Sequence, residues 1–169
     1  TLYAKWDANT NTPYKVEHYQ QNTSGDEYAL FETTDHTGTT GNDADLGIKS
    51  YLGFTNNTSK NPTDLKIGAD GKSVFKVYYD RNTHDVTFNS KEGSSVSGIT
   101  GVRYGATFSE PTPAPTKEGY TFKGWFTSDD SGVTLGTEWN FSLNTMPDSN
   151  LTLYAKWDAN TNTPYKVEH

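Results

Sequence analysis

Leu151, Leu153, Ala155 and Trp157 alternate with Thr152, Tyr154 and Lys156. This period of two puts one face of a β-strand in a core and the other in water. Phe75, Val77 and Tyr79 repeat the pattern behind an Asp70-Gly71 turn, a pair favoured where a tight turn needs positive φ. Val86 and Phe88 begin a third strand. Tyr120–Phe126 makes a fourth, opened by Gly119 and carrying Gly124 inside it; a glycine within a strand marks a bulge or a close backbone approach. Helix is expected in one place, after Gly41, with Asn42 or Asp43 as N-cap and Ala44, Leu46 and Ile48 inside. Gly47 keeps it short. Pro111, Pro113 and Pro115 stiffen an extended crossing between strands, because each fixes φ and removes a donor. The pattern predicts a β-rich α+β chain with little helix. Its expected core is Phe54, Phe75, Val77, Phe88, Tyr120, Phe122, Leu153 and Trp157.

A second pattern runs over the whole chain. Residues 1–18, TLYAKWDANTNTPYKVEH, recur letter for letter as 152–169. Identity through the polar DANTNT run points to duplication of the gene segment, since no core constrains those residues. The chain therefore reads as one period of a tandem array. Residues 1–6 are expected to be the closing strand of a preceding repeat, and 165–169 the opening strand of a following one. Residues 7–12 and 159–164 are then linker copies. Between them lie a first module at 13–82 and a second at 83–158, joined through the short DRNTHD junction. DRNTHD is expected to hold a preferred angle, and the longer DANTNTP to swing.

Composition narrows the class. Leu, Ile, Val and Phe make up fewer than one residue in five, a level at which highly charged chains are disordered. Here the net charge is only −7, and 4 Trp, 11 Tyr and 8 Phe supply large surfaces for small cores. Acidity without a basic patch argues against nucleic acid and anionic lipid as partners. No apolar run is long enough to insert in a membrane. The absence of Cys removes disulfides and thiolate metal sites.

Catalytic and metal signatures are missing. His18, His36 and His84 show no HxH or HExxH spacing, and His169 only repeats His18. No GxSxG or phosphate-binding loop occurs. Asp129-Asp130-Ser131-Gly132 lacks the alternating ligands and terminal Glu of a calcium loop and reads as a solvated turn. No catalytic residue, cofactor or metal is expected. Trp139, in GTEWNFS, and Trp125 are the candidate aromatics for stacking a sugar, with packing into the core as the competing reading of each.

The second module carries VTFNS, then PTKEGYTFKGWF, a TMPDSN turn and a closing LTLYAKW. In that order these resemble the internalin B-repeat, or Listeria–Bacteroides repeat, over about 84–157. Lys91-Glu92-Gly93-Ser94 departs from that family, where Asp or Gly-Gly usually follows the first strand. The first module, over about 14–82, is similar to mucin-binding-protein (MucBP) type repeats. Its marks are YKVEHYQ at 14–20, the Gly38-Thr-Thr-Gly41 turn, Tyr51-Leu-Gly-Phe54, and Asp70-Gly leading into VFKVYYDRN. Both resemblances imply small β-grasp, ubiquitin-like modules of extracellular bacterial surface proteins, anchored at the cell wall. They imply a non-catalytic stalk of an adhesin whose partners are neighbouring repeats. The alternative is a module that binds host glycan or mucin and gains avidity from repetition.

Overall fold

A computed structural model describes residues 1–161 and Lys166. The expected opening strand 165–169, Lys166 apart, and residues 162–164 of the linker 159–164 lie outside the described residues. The chain divides into two compact units, Thr1–Asn82 and Thr83–His169. Each is built on a four-stranded mixed sheet.

In the first unit, β1 (Thr12–Gln21) and β2 (Tyr28–Gly38) form an antiparallel pair with a bulge at His18/Tyr19. β3 (Phe54–Asn56) pairs antiparallel with β4 (Ser73–Arg81), and β4 lies parallel to β1. The order is β2-β1-β4-β3. Alternation decides the faces: Tyr14, Val16 and His18 of β1 meet Phe75, Val77 and Tyr79 of β4 in the core, and Ala44 and Ile67 cover them. Phe54 is half-buried at the margin, with the Arg81 guanidinium 4.8 Å from its ring centre.

The second unit repeats this plan. β5 (Thr83–Asn89) pairs antiparallel with β6 (Ile99–Arg103) and parallel with β8 (Leu151–Ala159), which pairs antiparallel with β7 (Tyr120–Phe126). The order is β6-β5-β8-β7. Val86, Phe88, Trp125, Met146, Leu153 and Ala155 form the core. In both units the first and last strands make the central parallel pair, which a tight hairpin cannot connect.

Three expectations need correction. No helix forms over 42–48, so the chain is all-sheet among the described residues. Asn42–Ala44 instead finds backbone partners across the unit: Ala44 N–H donates to Leu65 O at 2.8 Å and Ile67 N–H to Asn42 O at 3.0 Å. Asp43 pairs with Lys66 at 2.8 Å, and Gly47 turns the chain with φ 53°. Tyr120 is no core residue. It is 42% exposed, at the end of β7 where the partner strand runs out at Ala159, and its ring lies 4.7 Å from Lys117 Nζ. Trp125 is no surface aromatic, being 1% exposed. The β7–β8 register slips between Phe122 and Trp125, where Gly124 takes φ 118°. The extra residue turns Trp125 onto the side of Phe122, so both rings enter one core.

The two copies of the duplicated segment behave differently. Leu153 is buried in β8, whereas Leu2 stands fully exposed and in no strand. Trp6 is 88% exposed. Trp157, its counterpart, is half-buried against the second core and donates from Nε1 to Ser90 O at 2.8 Å. β8 extends to Ala159 and β1 begins at Thr12, so ordered strand reaches into both expected linkers.

Candidate functional site

Two places gather polar side chains. The first is a buried network in the first unit. His18, wholly buried, has Nδ1 3.1 Å from the Tyr79 hydroxyl and Nε2 3.2 Å from Thr34 Oγ1. Thr34 Oγ1 also meets His36 Nε2 at 2.8 Å, and the His36 ring stacks on Tyr14. Lys49 donates its backbone N–H to Tyr79 and its ammonium to Glu32, and the Tyr51 hydroxyl donates to Glu32 as well. Burial is the main cause that lowers the His18 pKa, with the Lys49 charge adding to it. Burial likewise raises Tyr51 and Tyr79, while the hydrogen bond from Lys49 holds Glu32 below the usual carboxylate range. A neutral imidazole locked among hydroxyls stiffens the core. Because His18 has no exposed surface, no substrate reaches it.

The second place is a surface groove of about 660 Å³ on the second unit, lined by Lys91, Glu92, Lys117, Tyr154, Lys156 and Trp157 among others. It opens where β5 has ended at Asn89 but β8 continues, so beyond Tyr154 only β7 pairs with β8. The turn after β5 forms its wall. Lys91 and Glu92 sit there at φ 49° and 68°, the conformation glycine favours, at the position where Lys91-Glu92 departs from the family pattern. Two ammonium groups hold the wall in place. Lys91 Nζ donates to Gly132 O at 2.6 Å, and Lys117 Nζ to Lys91 O at 3.1 Å and Glu92 Oε2 at 3.2 Å. In an acidic chain this is a local excess of cations, yet two of the three lysines serve as clasps between loops.

The aromatic candidates are spent on packing. Trp139 stacks on Phe108 at 5.6 Å between ring centres, and its backbone N–H donates to Trp125 O at 2.7 Å. Trp125 packs on Phe88 and Phe122. Phe75, Val77, Phe88 and Leu153 are buried, and Phe122 is half-buried against Trp157. Asp130 caps its own loop, accepting from Thr134 N–H at 2.8 Å and Ser128 Oγ at 2.7 Å. These hydrogen bonds bring its pKa down to about 2. Sequence reasoning passed over Glu32, Lys49, Tyr51 and Tyr79 as a group, since only the fold brings them to His18. Among the described residues no three metal-ligating side chains cluster, and no helix is long and apolar enough to cross a membrane.

Residues 84–156 match the Listeria-Bacteroides repeat domain. Internalin H of Listeria monocytogenes is 55% identical over 38 residues, which is 22% of this chain and 6% of that protein. A protein of Evansella cellulosilytica described as a Gly-rich membrane protein is 38% identical over 73 residues, 43% of this chain and 8% of its own length. The chain thus spans less than a tenth of these relatives. Among solved structures, domains 3-4 of the Streptococcal High Identity Repeats in Tandem from a cell surface protein align over 85% of this chain and 96% of theirs. That alignment has 16% identity and a TM-score of 0.26, too low to equate the folds. The matched family is a surface-protein repeat rather than a catalytic family. With a Listeria-Bacteroides repeat domain over residues 84–156 and a duplicated segment at 1–18 and 152–169, the chain is that of a tandem-repeat bacterial surface protein.

Proposed function

We propose that this chain is a non-catalytic repeat unit in the extracellular stalk of a wall-anchored adhesin, a spacer whose immediate partners are the neighbouring repeats. One observation carries the reading: both units close on their own cores with the same strand order, and the tryptophans a glycan would need are used in packing. Each unit reads as a reduced β-grasp, with a hairpin, a central parallel pair and a loop where the helix of that fold would pack. On this reading the first unit is the MucBP-like partner of the Listeria-Bacteroides repeat and shares its architecture rather than a mucin site.

Each unit of about 75 residues is roughly 30 Å across, so repetition adds reach without adding chemistry. A net charge of −7 and a polar surface keep a long array soluble. The rival reading, glycan or mucin binding, would rest on the groove beside Trp157. Titrating the chain with sialylated and neutral mucin oligosaccharides, while following Trp fluorescence and the amide signals of Lys91, Lys156 and Trp157, tests both. The spacer reading expects no saturable change up to millimolar sugar. A saturable shift confined to those residues would replace it with the rival.

A further inference from the structure

Because one segment occurs twice, the chain displays both sides of a single repeat-to-repeat junction. In the second copy, β8 ends at Ala159, opposite Tyr120. The next residue, Asn160, donates its N–H to Gly119 O at 2.8 Å and accepts the Thr121 hydroxyl on Oδ1 at 2.7 Å. In the first copy the same asparagine is Asn9, and it is held by the first unit. Its carbonyl accepts Thr40 N–H at 2.9 Å and the Thr12 hydroxyl at 3.4 Å, and its Oδ1 accepts Asn11 N–H at 3.0 Å. Thr12 is itself buried and meets Thr40 Oγ1 at 2.6 Å.

The two sets of bonds do not compete. One uses the N–H, the other the C=O, and an amide oxygen has two lone pairs for Thr121 Oγ1 and Asn11 N–H. We propose that, wherever one repeat follows another, this asparagine is clamped from both sides at once. The second unit of the leading repeat holds it through Gly119 and Thr121, and the first unit of the trailing repeat through Thr40 and Thr12. The junction is then a short, stiff contact whose partner is another copy of this repeat. It rests on the tandem, spacer reading above.

Chain length supports the same conclusion. Between Asn9 and the start of β1 at Thr12 lie only Thr10 and Asn11, so three steps of chain give a reach of at most about 10 Å. The seven residues of DANTNTP, none with a large apolar side chain, look like a flexible linker, and such a linker would wander over a distance growing with the square root of its length. Here the strand β8 takes Asp158 and Ala159, hydrogen bonds take the asparagine, and β1 takes Thr12 and Pro13 in the first copy. Asparagine suits the place because its short amide bonds to nearby backbone as well as to a neighbouring hydroxyl.

The test is a tandem chain that runs residues 1–169 on into residues 19–169. The sequence has no cysteine, so nitroxide labels at Ser142→Cys in the leading repeat and Ser24→Cys in the trailing one report a single distance by pulsed electron paramagnetic resonance. The expected result is one narrow distance distribution. Six Gly/Ser residues inserted between Asn160 and Thr161 should broaden it at least twofold, and Asn160→Gly should broaden it in the same direction. An unaltered chain as broad as the insertion variant would overturn the proposal. Retention of the same chain on mucin is read separately. A broad, unretained chain overturns the clamp and leaves the spacer reading standing; a narrow, retained one does the reverse.

Discussion

His18 Nδ1 lies 3.1 Å from the hydroxyl of Tyr79, 61 residues further along the chain, and the imidazole has no exposed surface. Burial keeps this ring neutral, so its folded pKa is below its ordinary 6.5. The unfolded chain therefore binds a proton in a pH range where the folded one does not. The stability His18 contributes is complete above pH 6.5 and is lost as pH falls toward its folded pKa. Lys49, Glu32, His36, Tyr51 and Tyr79 surround the ring, and Glu32, also depressed, adds a further loss below its ordinary 4.5.

The first unit should melt at lower temperature at pH 5 than at pH 7. An NMR titration of the His18 ring should give a midpoint below 6.5. A midpoint at or above that value would mean the ring is charged in the fold and the network misassigned.

Trp125 and Trp139 should respond differently to truncation. Trp125→Ala removes a buried ring that touches both Phe88 and Phe122 and should cost about 3–5 kcal/mol by denaturant unfolding. The Trp139 Nε1, like that of Trp125, is buried without a hydrogen-bond partner among the described residues, but Trp139 is only half-buried and a phenylalanine keeps a ring in its place. Phenylalanine would discard that unpaired donor, which itself costs about 1–3 kcal/mol. Trp139→Phe should thus change stability by less than about 1 kcal/mol, the lost area and the relieved donor nearly offsetting. Equal losses for Trp125→Ala and Trp139→Phe would show that Trp139 is held by more than packing.

Gly124→Ala tests the bulge that turns Trp125 inward. At φ 118° an L-residue is strained, and an added Cβ would lie 2.8 Å from Glu138 Oε1. A loss of about 1–3 kcal/mol is expected, together with a change in Trp125 fluorescence. The paired variant Gly124→Ala/Glu138→Ala removes the contact and should recover only the steric part. Full recovery would place the cost in crowding rather than in backbone conformation.

Residues 1–82 and 83–161, produced separately, should each fold and melt in one transition, because each contains its own sheet and core. Circular dichroism of the fragments checks this. A fragment that unfolds alone, while the whole chain melts in one step, would show that the cores depend on each other.

Strands with one apolar face were legible from their period: Phe75, Val77 and Tyr79, and Leu153, Ala155 and Trp157, each line one side of a strand. Tyr154, expected on the water face of β8, is buried instead, because the loop at Gly132 packs against its ring. Gly124 in its strand was legible as a bulge, but its effect on Trp125 was not, because parity counted across a bulge gives the wrong face. β2 was hidden. In this edge strand the half-buried positions over 32–38 are Glu32, Thr34, His36 and Gly38, so the alternation of burial leaves no apolar period in the sequence.

The helix expected over 42–48 failed for the opposite reason. Local propensity favoured it, and backbone partners some twenty residues away at Leu65–Ile67 outweighed that propensity. Trp6 and Trp157 make the point most directly. Identical neighbours in sequence leave one exposed and the other packed, because a strand needs partners that a single segment cannot contain.

The central claim is that repetition supplies reach rather than adhesion. Its most direct test is the retention of arrays of one, two and four repeats on immobilised mucin at physiological salt. A spacer predicts retention at background level, unchanged by copy number. Apparent affinity that climbs by about 10²–10⁴ as copies are added, as multivalent binding requires, would contradict it and make each repeat a binding module.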